Sequence, residues 1–165
     1  QEQGSIFNVW CQFEGRSWRD LPAARRPPAR WDPELSDFQI EATIQPDLNL
    51  QAVTRVKAVM KEPGDGVLPF EISSRMRITA ATVDGQPAAV YQRESFRSVL
   101  MAGGQNELVL VVPAQPIETG RTYEVELRHE GNVIRDAGNG VYYVTARSNW
   151  YPQRGLQMAR YDARF

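Results

Sequence analysis

From Phe38 onward, apolar and polar residues alternate in short runs that end at Gly, Asp, Asn or Pro. Neighbouring side chains of a β-strand point to opposite faces, so a period of two is typical of strands with one buried face. No run shows the 3.6-residue period of an amphipathic helix. The sequence therefore predicts an all-β, antiparallel fold. The clearest core-facing positions are Phe38, Ile40, Ala42 and Ile44 in one strand, and Ala52, Thr54, Val56, Ala58 and Met60 in the next.

The turn signals between these runs indicate how the strands connect. Pro46-Asp47 separates the first two strands, and Asp84-Gly85 is a strong hairpin signal because both central positions of that turn take positive φ. Gly138-Asn139-Gly140 predicts another tight turn. About nine or ten strands of ordinary length favour a β-sandwich. The other predicted strands are residues 67–72, 76–83, 88–91, 99–101, 108–112, 122–129 and 140–146, and the Gly- and Asn-rich residues 131–139 separate the last two.

Residues 1–36 differ in composition from the rest of the chain. They contain Trp10, Trp18 and Trp31 around the Pro- and Arg-rich residues 21–30. Proline cannot continue a helix or donate to a sheet ladder, which predicts an irregular N-terminal arm. The three tryptophans favour packing of this arm over the β domain or against another domain. We therefore expect an arm at residues 1–36 and a β domain at residues 37–165.

Composition narrows the classes of partner. The chain has 165 residues, of which 42% are hydrophobic, and its formal net charge is -1. This hydrophobic content is enough for one core. The net charge shows no excess of basic residues of the kind that binds nucleic acid. No apolar run is long enough to span a bilayer, so we expect neither a nucleic-acid partner nor a membrane segment. The single cysteine, Cys11, excludes an internal disulfide and leaves the compartment open, and we favour a periplasmic or extracellular location.

A search for catalytic residues finds none to propose. His129 is the only histidine, so a two-histidine zinc motif is excluded, and the sequence has no Gly-x-Ser-x-Gly elbow. His129 alternates with Leu127 in a strand pattern, and we expect it to point to solvent or to cap a turn. Glu124 and Glu126 share one strand face, for which a solvated surface is a better interpretation than a cation site. We predict no catalytic, cofactor-binding or metal-binding residue here.

The remaining candidates form an aromatic cluster near the C-terminus, made of Tyr142, Tyr143, Trp150 and Tyr151. Exposed Trp and Tyr can stack on sugars or fill a partner's pocket, whereas buried ones serve the core or a domain interface. A planar, solvent-facing row of rings would favour sugar binding. Rings turned into the sandwich, or into a large apolar patch, would favour docking of another domain.

About three-quarters of the chain, from Phe38 to Phe165, resembles the N-terminal β domain of the aminopeptidase N family of zinc metallopeptidases, in particular its bacterial members. The resemblance consists of modest signatures in the right order. Where better-known members have Pro-Cys-x-Asp-x-Pro, this chain has residues 151–155, Tyr-Pro-Gln-Arg-Gly, and His129 replaces a tyrosine of the family pattern. The similar segments are residues 38–47, 68–72, 76–78, 83–85, 119–125, 130–131, 140–143, 150–152 and 159–162.

This resemblance implies a saddle-like β domain that packs against a thermolysin-like catalytic domain. In that family the catalytic domain carries the Gly-x-Met-Glu-Asn loop and the His-Glu-x-x-His zinc site, and neither motif occurs in this sequence. The resemblance therefore implies a non-catalytic domain that helps to shape a substrate entrance, with zinc only in the catalytic domain of the same parent chain. The alternative is a stand-alone β-sandwich that binds a carbohydrate or a protein.

The resemblance also implies that the segment stops before the family's domain would. The last strand-like pattern, at residues 159–165, is still incomplete where the sequence ends. A truncated sheet leaves strands without partners, and unpaired strand edges invite self-association.

Overall fold

The computed structural model describes residues 32–61, 66–94, 106–144, 149–154 and 161–164. All of the regular elements in these ranges are β-strands, so they include no helix long and apolar enough to cross a membrane. The strands are β1 (Glu34–Ile44), β2 (Leu50–Val59), β3 (Leu68–Ser73), β4 (Met76–Val83), β5 (Gln86–Pro87), β6 (Ala89–Glu94), β7 (Asn106–Val112), β8 (Thr122–Gly131), β9 (Ile134–Gly138), β10 (Val141–Val144) and β11 (Tyr161–Arg164).

The strands form three sheets. A six-stranded sheet has the order β11-β1-β2-β8-β4-β5, a three-stranded sheet has the order β3-β7-β6, and β9 pairs with β10 as a separate ribbon. All pairings are antiparallel except that of β1 with β11. The apolar sides of the two larger sheets contribute to one core cluster. The predicted all-β, sandwich-like fold is therefore confirmed.

The period of two places one face of the six-stranded sheet in the core. The central strands β2 and β8 pair over ten consecutive positions, from Leu50 with Gly131 to Val59 with Thr122. The five core positions predicted in the second strand are all buried. Ile44 was predicted incorrectly, since it ends β1 beside the turn at Pro46-Asp47 and is 49% exposed.

A β-bulge at Thr79 changes which residues of β4 face the core. Pairing with β8 shifts between Ile78 and Ala80, which leaves Thr79 as the extra residue. Even-numbered residues such as Ile78 are buried before the bulge, and odd-numbered residues such as Ala81 and Val83 are buried after it. A bulge absorbs one residue and thereby keeps both halves of the strand with their apolar side chains inward.

The hairpin predicted at Asp84-Gly85 is present, but its return strand is shorter than expected. Asp84 and Gly85 have φ values of 49° and 75°, as this turn requires. Only Gln86 and Pro87 pair with β4. Proline has no N–H for the ladder, and the chain then crosses to the three-stranded sheet, where β6 pairs with β7. The predicted return strand at 88–91 thus belongs mainly to the other sheet.

Several other predictions differ from the structure or lie outside the described residues. The segment predicted only to separate two strands, residues 131–139, contains β9, and β1 begins at Glu34, inside the predicted arm. The predictions for residues 1–31, including Cys11 and the three tryptophans of the arm, lie outside the described ranges, as does the strand at 99–101.

The side-chain amide of Gln92 connects the two larger sheets. Its Nε2 donates to the Met76 carbonyl at 2.6 Å and to Glu107 Oε2 at 2.7 Å, and its Oε1 accepts from the Ile78 N–H at 3.0 Å. Since β5 and the following Ala88 cover only the second half of β4, this amide takes the place of a neighbouring peptide group for the first half. Gln92 therefore satisfies backbone groups that the short return strand cannot reach.

We predict that Gln92→Met destabilises the fold by about 1–3 kcal/mol, because methionine keeps the length of the side chain but leaves part-buried backbone groups without these bonds. Urea unfolding measures this as a lower midpoint with an unchanged slope. The matched control is Gln39→Met, since Gln39 is exposed on β1. Equal midpoints for the Gln92 variant and the control would contradict the bridging role.

Candidate interaction site

The structure divides the predicted aromatic cluster into a pair associated with the core, in which Tyr151 is buried and Trp150 is partly buried, and an exposed pair. Tyr151 is 6% exposed, and its ring lies edge-on to Phe38 at 5.7 Å and to Trp150 at 5.1 Å. Tyr142 and Tyr143 are 54% and 52% exposed. The four residues therefore do not form one surface, and Tyr151 belongs to the core.

Trp150 and Tyr151 belong to residues 149–154, which we call the strap. Backbone hydrogen bonds hold this segment in place. The strap lies along the edge of β3 that β7 does not use. Asn149 accepts from the Ser73 N–H at 2.8 Å, and Gln153 exchanges two backbone hydrogen bonds with Glu71, at 2.6 and 2.9 Å. The strap thus extends the three-stranded sheet, and its aromatic residues contribute to the sandwich.

An ion-pair cluster fixes the end of the strap. Arg154 donates from Nη1 to Glu71 Oε1 at 2.8 Å and from Nε to Asp32 Oδ1 at 2.5 Å. The Arg154 and Glu71 side chains are 15% and 9% exposed, so water screens their attraction little. Sequence analysis missed this pair, because 83 residues separate its two members.

The hairpin of β9 and β10, residues 134–144, is the second part of the predicted site, and we call it the ribbon. Asn139 and Gly140 form its turn with φ values of 54° and 76°, which confirms the tight turn predicted at Gly138-Asn139-Gly140. Asp136 supports the turn by accepting from the Gly138 N–H at 2.7 Å.

The base of the ribbon is anchored in the sandwich. Val133 is fully buried and Ile134 is 6% exposed, while the Asn132 N–H donates to the Arg75 carbonyl at 3.2 Å. A Cβ at Gly131 would lie 1.9 Å from that carbonyl oxygen, so this close approach requires glycine. The ribbon therefore leaves the sandwich from a fixed point.

All four residues of β10 expose apolar surface. Val141 and Val144 are 57% and 38% exposed, beside the two tyrosines. Because successive residues of a strand point to opposite faces, Tyr142 and Tyr143 cannot form the planar row that sugar stacking requires. Exposed apolar patches mark interaction sites. The two valines were missed, because an apolar run without alternation is typical of a strand buried on both faces and does not indicate an exposed one.

The outer face of the six-stranded sheet is polar and its charges pair with one another. Arg55 donates to Glu41 at 3.1 Å and to Glu126 at 2.9 Å, and Arg128 lies 3.1 Å from Glu126. The hydrogen bonds that Arg55 donates to Glu41 and, to a lesser extent, to Glu126 raise the pKa of Arg55. Glu126 is thus paired with arginines, as expected of a solvated strand face. Among the described residues, no group of three or more His, Cys, Asp or Glu could hold a metal ion.

His129 lies in the core, so the prediction that it points to solvent or caps a turn is wrong. It is 2% exposed, and its Nε2 lies 2.9 Å from Oγ1 of Thr54, which is fully buried. Its Nδ1 is buried and has no hydrogen-bond partner within the described ranges. Burial lowers the pKa of His129 from 6.5 to about 4, so the imidazole is neutral at pH 7.

Comparison with known proteins finds similarity only to solved structures. No protein-family model and no curated protein matches the sequence. An M1 zinc metallopeptidase from Deinococcus radiodurans is similar over 75% of this chain, with 17% identity and a TM-score of 0.48. A mutant M1 zinc metallopeptidase from that organism, bound to a Tyr-Ser-Ala substrate, is similar over 71% of this chain, with 18% identity and a TM-score of 0.48.

A more distant similarity is to leukotriene A4 hydrolase from Saccharomyces cerevisiae, with 10% identity over 60% of this chain and a TM-score of 0.43. The chain spans about a quarter of the length of the Deinococcus structures and 15% of the yeast structure. The first of these structures are zinc metallopeptidases, the group whose N-terminal domain the sequence motifs resemble. Substrates and activity in these comparisons belong to the longer proteins.

We predict that His129 makes the fold sensitive to acid. The folded state holds the imidazole neutral, with a pKa of about 4, whereas the unfolded chain protonates it near 6.5. The resulting stability is complete above pH 6.5 and is lost as the pH falls toward 4, with a total of about 3 kcal/mol. Urea unfolding at a series of pH values measures this loss.

The control for this experiment is His129→Leu, which removes the only histidine of the chain. Its stability should change little between pH 6.5 and 5, where most carboxylates stay ionised. His129→Gln provides a second variant if the leucine is not accommodated. If the stability of both variants fell with decreasing pH as steeply as that of the wild type, groups other than His129 would cause the acid sensitivity.

Proposed function

We propose that this chain is a non-catalytic N-terminal β domain of a zinc aminopeptidase-like protein. In this proposal it packs against a catalytic domain of the same parent chain and helps to shape the entrance to that domain's active site. The observation that carries the proposal is the exposed apolar surface of the ribbon, where all four residues of β10 are 38% to 57% exposed. Such a surface on a folded domain is the expected form of a contact with another domain.

The rest of the domain is suited to hold this surface rigidly. The strap and the Arg154–Glu71 pair close one edge of the three-stranded sheet, and Val133 and Ile134 anchor the ribbon in the core. A binding surface on a rigid support loses less conformational entropy when a partner docks. The anchored base would therefore fix the point from which the ribbon presents Tyr142 and Tyr143 to its partner.

The absence of a catalytic set in the sequence supports the non-catalytic role. Neither Gly-x-Met-Glu-Asn nor His-Glu-x-x-His occurs in the 165 residues, and the only histidine is buried against Thr54. In this proposal the zinc ion belongs to the catalytic domain, and this chain supplies contacts only. A stand-alone sugar-binding module is less well supported, because Tyr151 is buried and the two exposed tyrosines lie on opposite faces.

A binding experiment with the separately produced catalytic domain of the parent protein tests the docking. We expect the double variant Tyr142→Ser/Tyr143→Ser to weaken binding at least tenfold, because truncating a well-packed interface tyrosine costs more than about 1.4 kcal/mol. Isothermal titration calorimetry measures the change. The matched control is Tyr91→Ser, since Tyr91 is 57% exposed but lies on β6. Equal affinities for the double variant and the control would refute docking through the ribbon.

An assay of the purified chain with aminoacyl reporter substrates tests the non-catalytic role separately. We expect no hydrolysis above that of a mock purification, with or without added zinc. Hydrolysis that survives both chelation and repurification would refute this part of the proposal.

A further inference from the structure

The ribbon is a two-stranded sheet whose outer edges have no strand partner within the described part of the chain. Two strands alone are marginally stable in water, and three or more strands with an apolar face are needed for independent stability. The anchored base at Val133 and Ile134 supports one end of the ribbon, whereas the residues of β10 remain exposed. A further strand along β10 would bury these side chains and pair its free backbone groups.

Apart from its short length of four residues, the strand β10 lacks the features that normally protect an edge. Natural edge strands carry charges, proline or a bulge that prevents pairing. The residues of β10 are Val-Tyr-Tyr-Val, without charge or proline. The register shift of the ribbon leaves Ala137 of β9 as the extra residue, so β10 itself continues without a bulge. Within the described ranges, the outer edge of β10 is therefore open to strand addition.

We propose that this edge pairs with the same edge of a second copy of the chain. The product is an antiparallel four-stranded sheet, with the order β9-β10-β10-β9 across a two-fold axis. An isologous contact requires a surface that complements itself. The strand β10 meets this requirement in both registers that place the two-fold axis at one of its central residues. With the axis at Tyr143, this residue faces its own copy and Tyr142 faces Val144. With the axis at Tyr142, Val141 faces Tyr143.

Each of these registers sets aromatic residues against aromatic or β-branched residues, which are favourable cross-strand pairs. Neither places two charges together. The competing outer edge, β11, has four residues in which Ala163 lies between the charged Asp162 and Arg164, so pairing there would bury less apolar surface. The edge of β6 is less accessible, because Gln92 hydrogen-bonds to β4. These comparisons favour β10 as the pairing edge.

This inference does not rest on the proposed function. Docking to a catalytic domain uses the apolar faces of the ribbon, whereas self-pairing uses its backbone edge. The two proposals can therefore fail separately. Self-association without binding of the catalytic domain supports the pairing and refutes the docking, and binding by a chain that stays monomeric does the reverse.

Sedimentation equilibrium of the 165-residue chain over a concentration series tests the pairing. We expect a monomer–dimer equilibrium whose dissociation constant rises at least tenfold in Tyr142→Lys, because two lysines then lie beside the two-fold axis. The matched control is Tyr91→Lys, which makes the same change at a residue of similar exposure on β6. A monomer at every concentration, or a dimer that Tyr91→Lys or Ala163→Lys disrupts while Tyr142→Lys does not, would overturn the proposal.

Disulfide trapping provides a second measurement that does not depend on the stability of the lysine variant. In a Cys11→Ser background, Tyr142→Cys and Tyr143→Cys each place one thiol on β10. The residue on the axis faces its own copy across adjacent strands, within the range of a disulfide. We expect one of these variants to form a crosslinked dimer under mild oxidation, while Tyr91→Cys stays monomeric. Crosslinking only through Tyr91→Cys would refute pairing at β10.

Discussion

Burial of one face of the six-stranded sheet is the constraint on which the rest of the structure depends. β2 and β8 pair in register over ten positions, and their alternate residues enter one core. A shift of one residue would turn that apolar set toward solvent, so the register is strongly fixed. The bulge at Thr79 preserves the arrangement in β4, and Gln92 supplies hydrogen bonds where the neighbouring strand is too short. The bulge and the Gln92 side chain thus fit β4 to the register that β2 and β8 set.

Sequence patterns predicted most of the strands, including β3, which is buried on both faces, and β10, which is exposed on both, but they missed β9. The alternation in β2 gave its core positions correctly, and Asp84-Gly85 gave its hairpin. The strand β9 was missed because Gly, Asn and Asp dominate residues 131–139, and because apolar and polar residues do not alternate regularly along the ribbon. The prediction for His129 failed because it treated this residue as alternating with Leu127, although residues two apart on a strand share a face, which assigns His129 to the core. In this chain, the position of a residue in the alternating pattern predicts its burial better than its polarity does, when a hydrogen-bonding partner such as Thr54 is available.

The candidate site could be predicted as a set of residues but not as an arrangement in space. The four aromatic residues are close in sequence, yet a long-range pairing separates them. The strap places Tyr151 against Phe38 in the core, and Arg154 reaches Glu71 on β3. No local pattern reports contacts between residues so far apart along the chain. The exposed pair, Tyr142 and Tyr143, is what remains for an interaction with another molecule, and it gains Val141 and Val144 as neighbours.

The central claim is that the strap is part of the fold and that the ribbon is the exposed apolar surface. Chemical nitration of tyrosines in the native chain, located by peptide mass spectrometry, tests this claim directly. The account predicts rapid nitration of Tyr142 and Tyr143, and protection of Tyr151 and of Tyr123, which is 4% exposed. Tyr91 provides an exposed reference, and the unfolded chain should lose all protection. Rapid nitration of Tyr151 in the native chain, or protection of Tyr142 and Tyr143 in the monomer, would contradict the account.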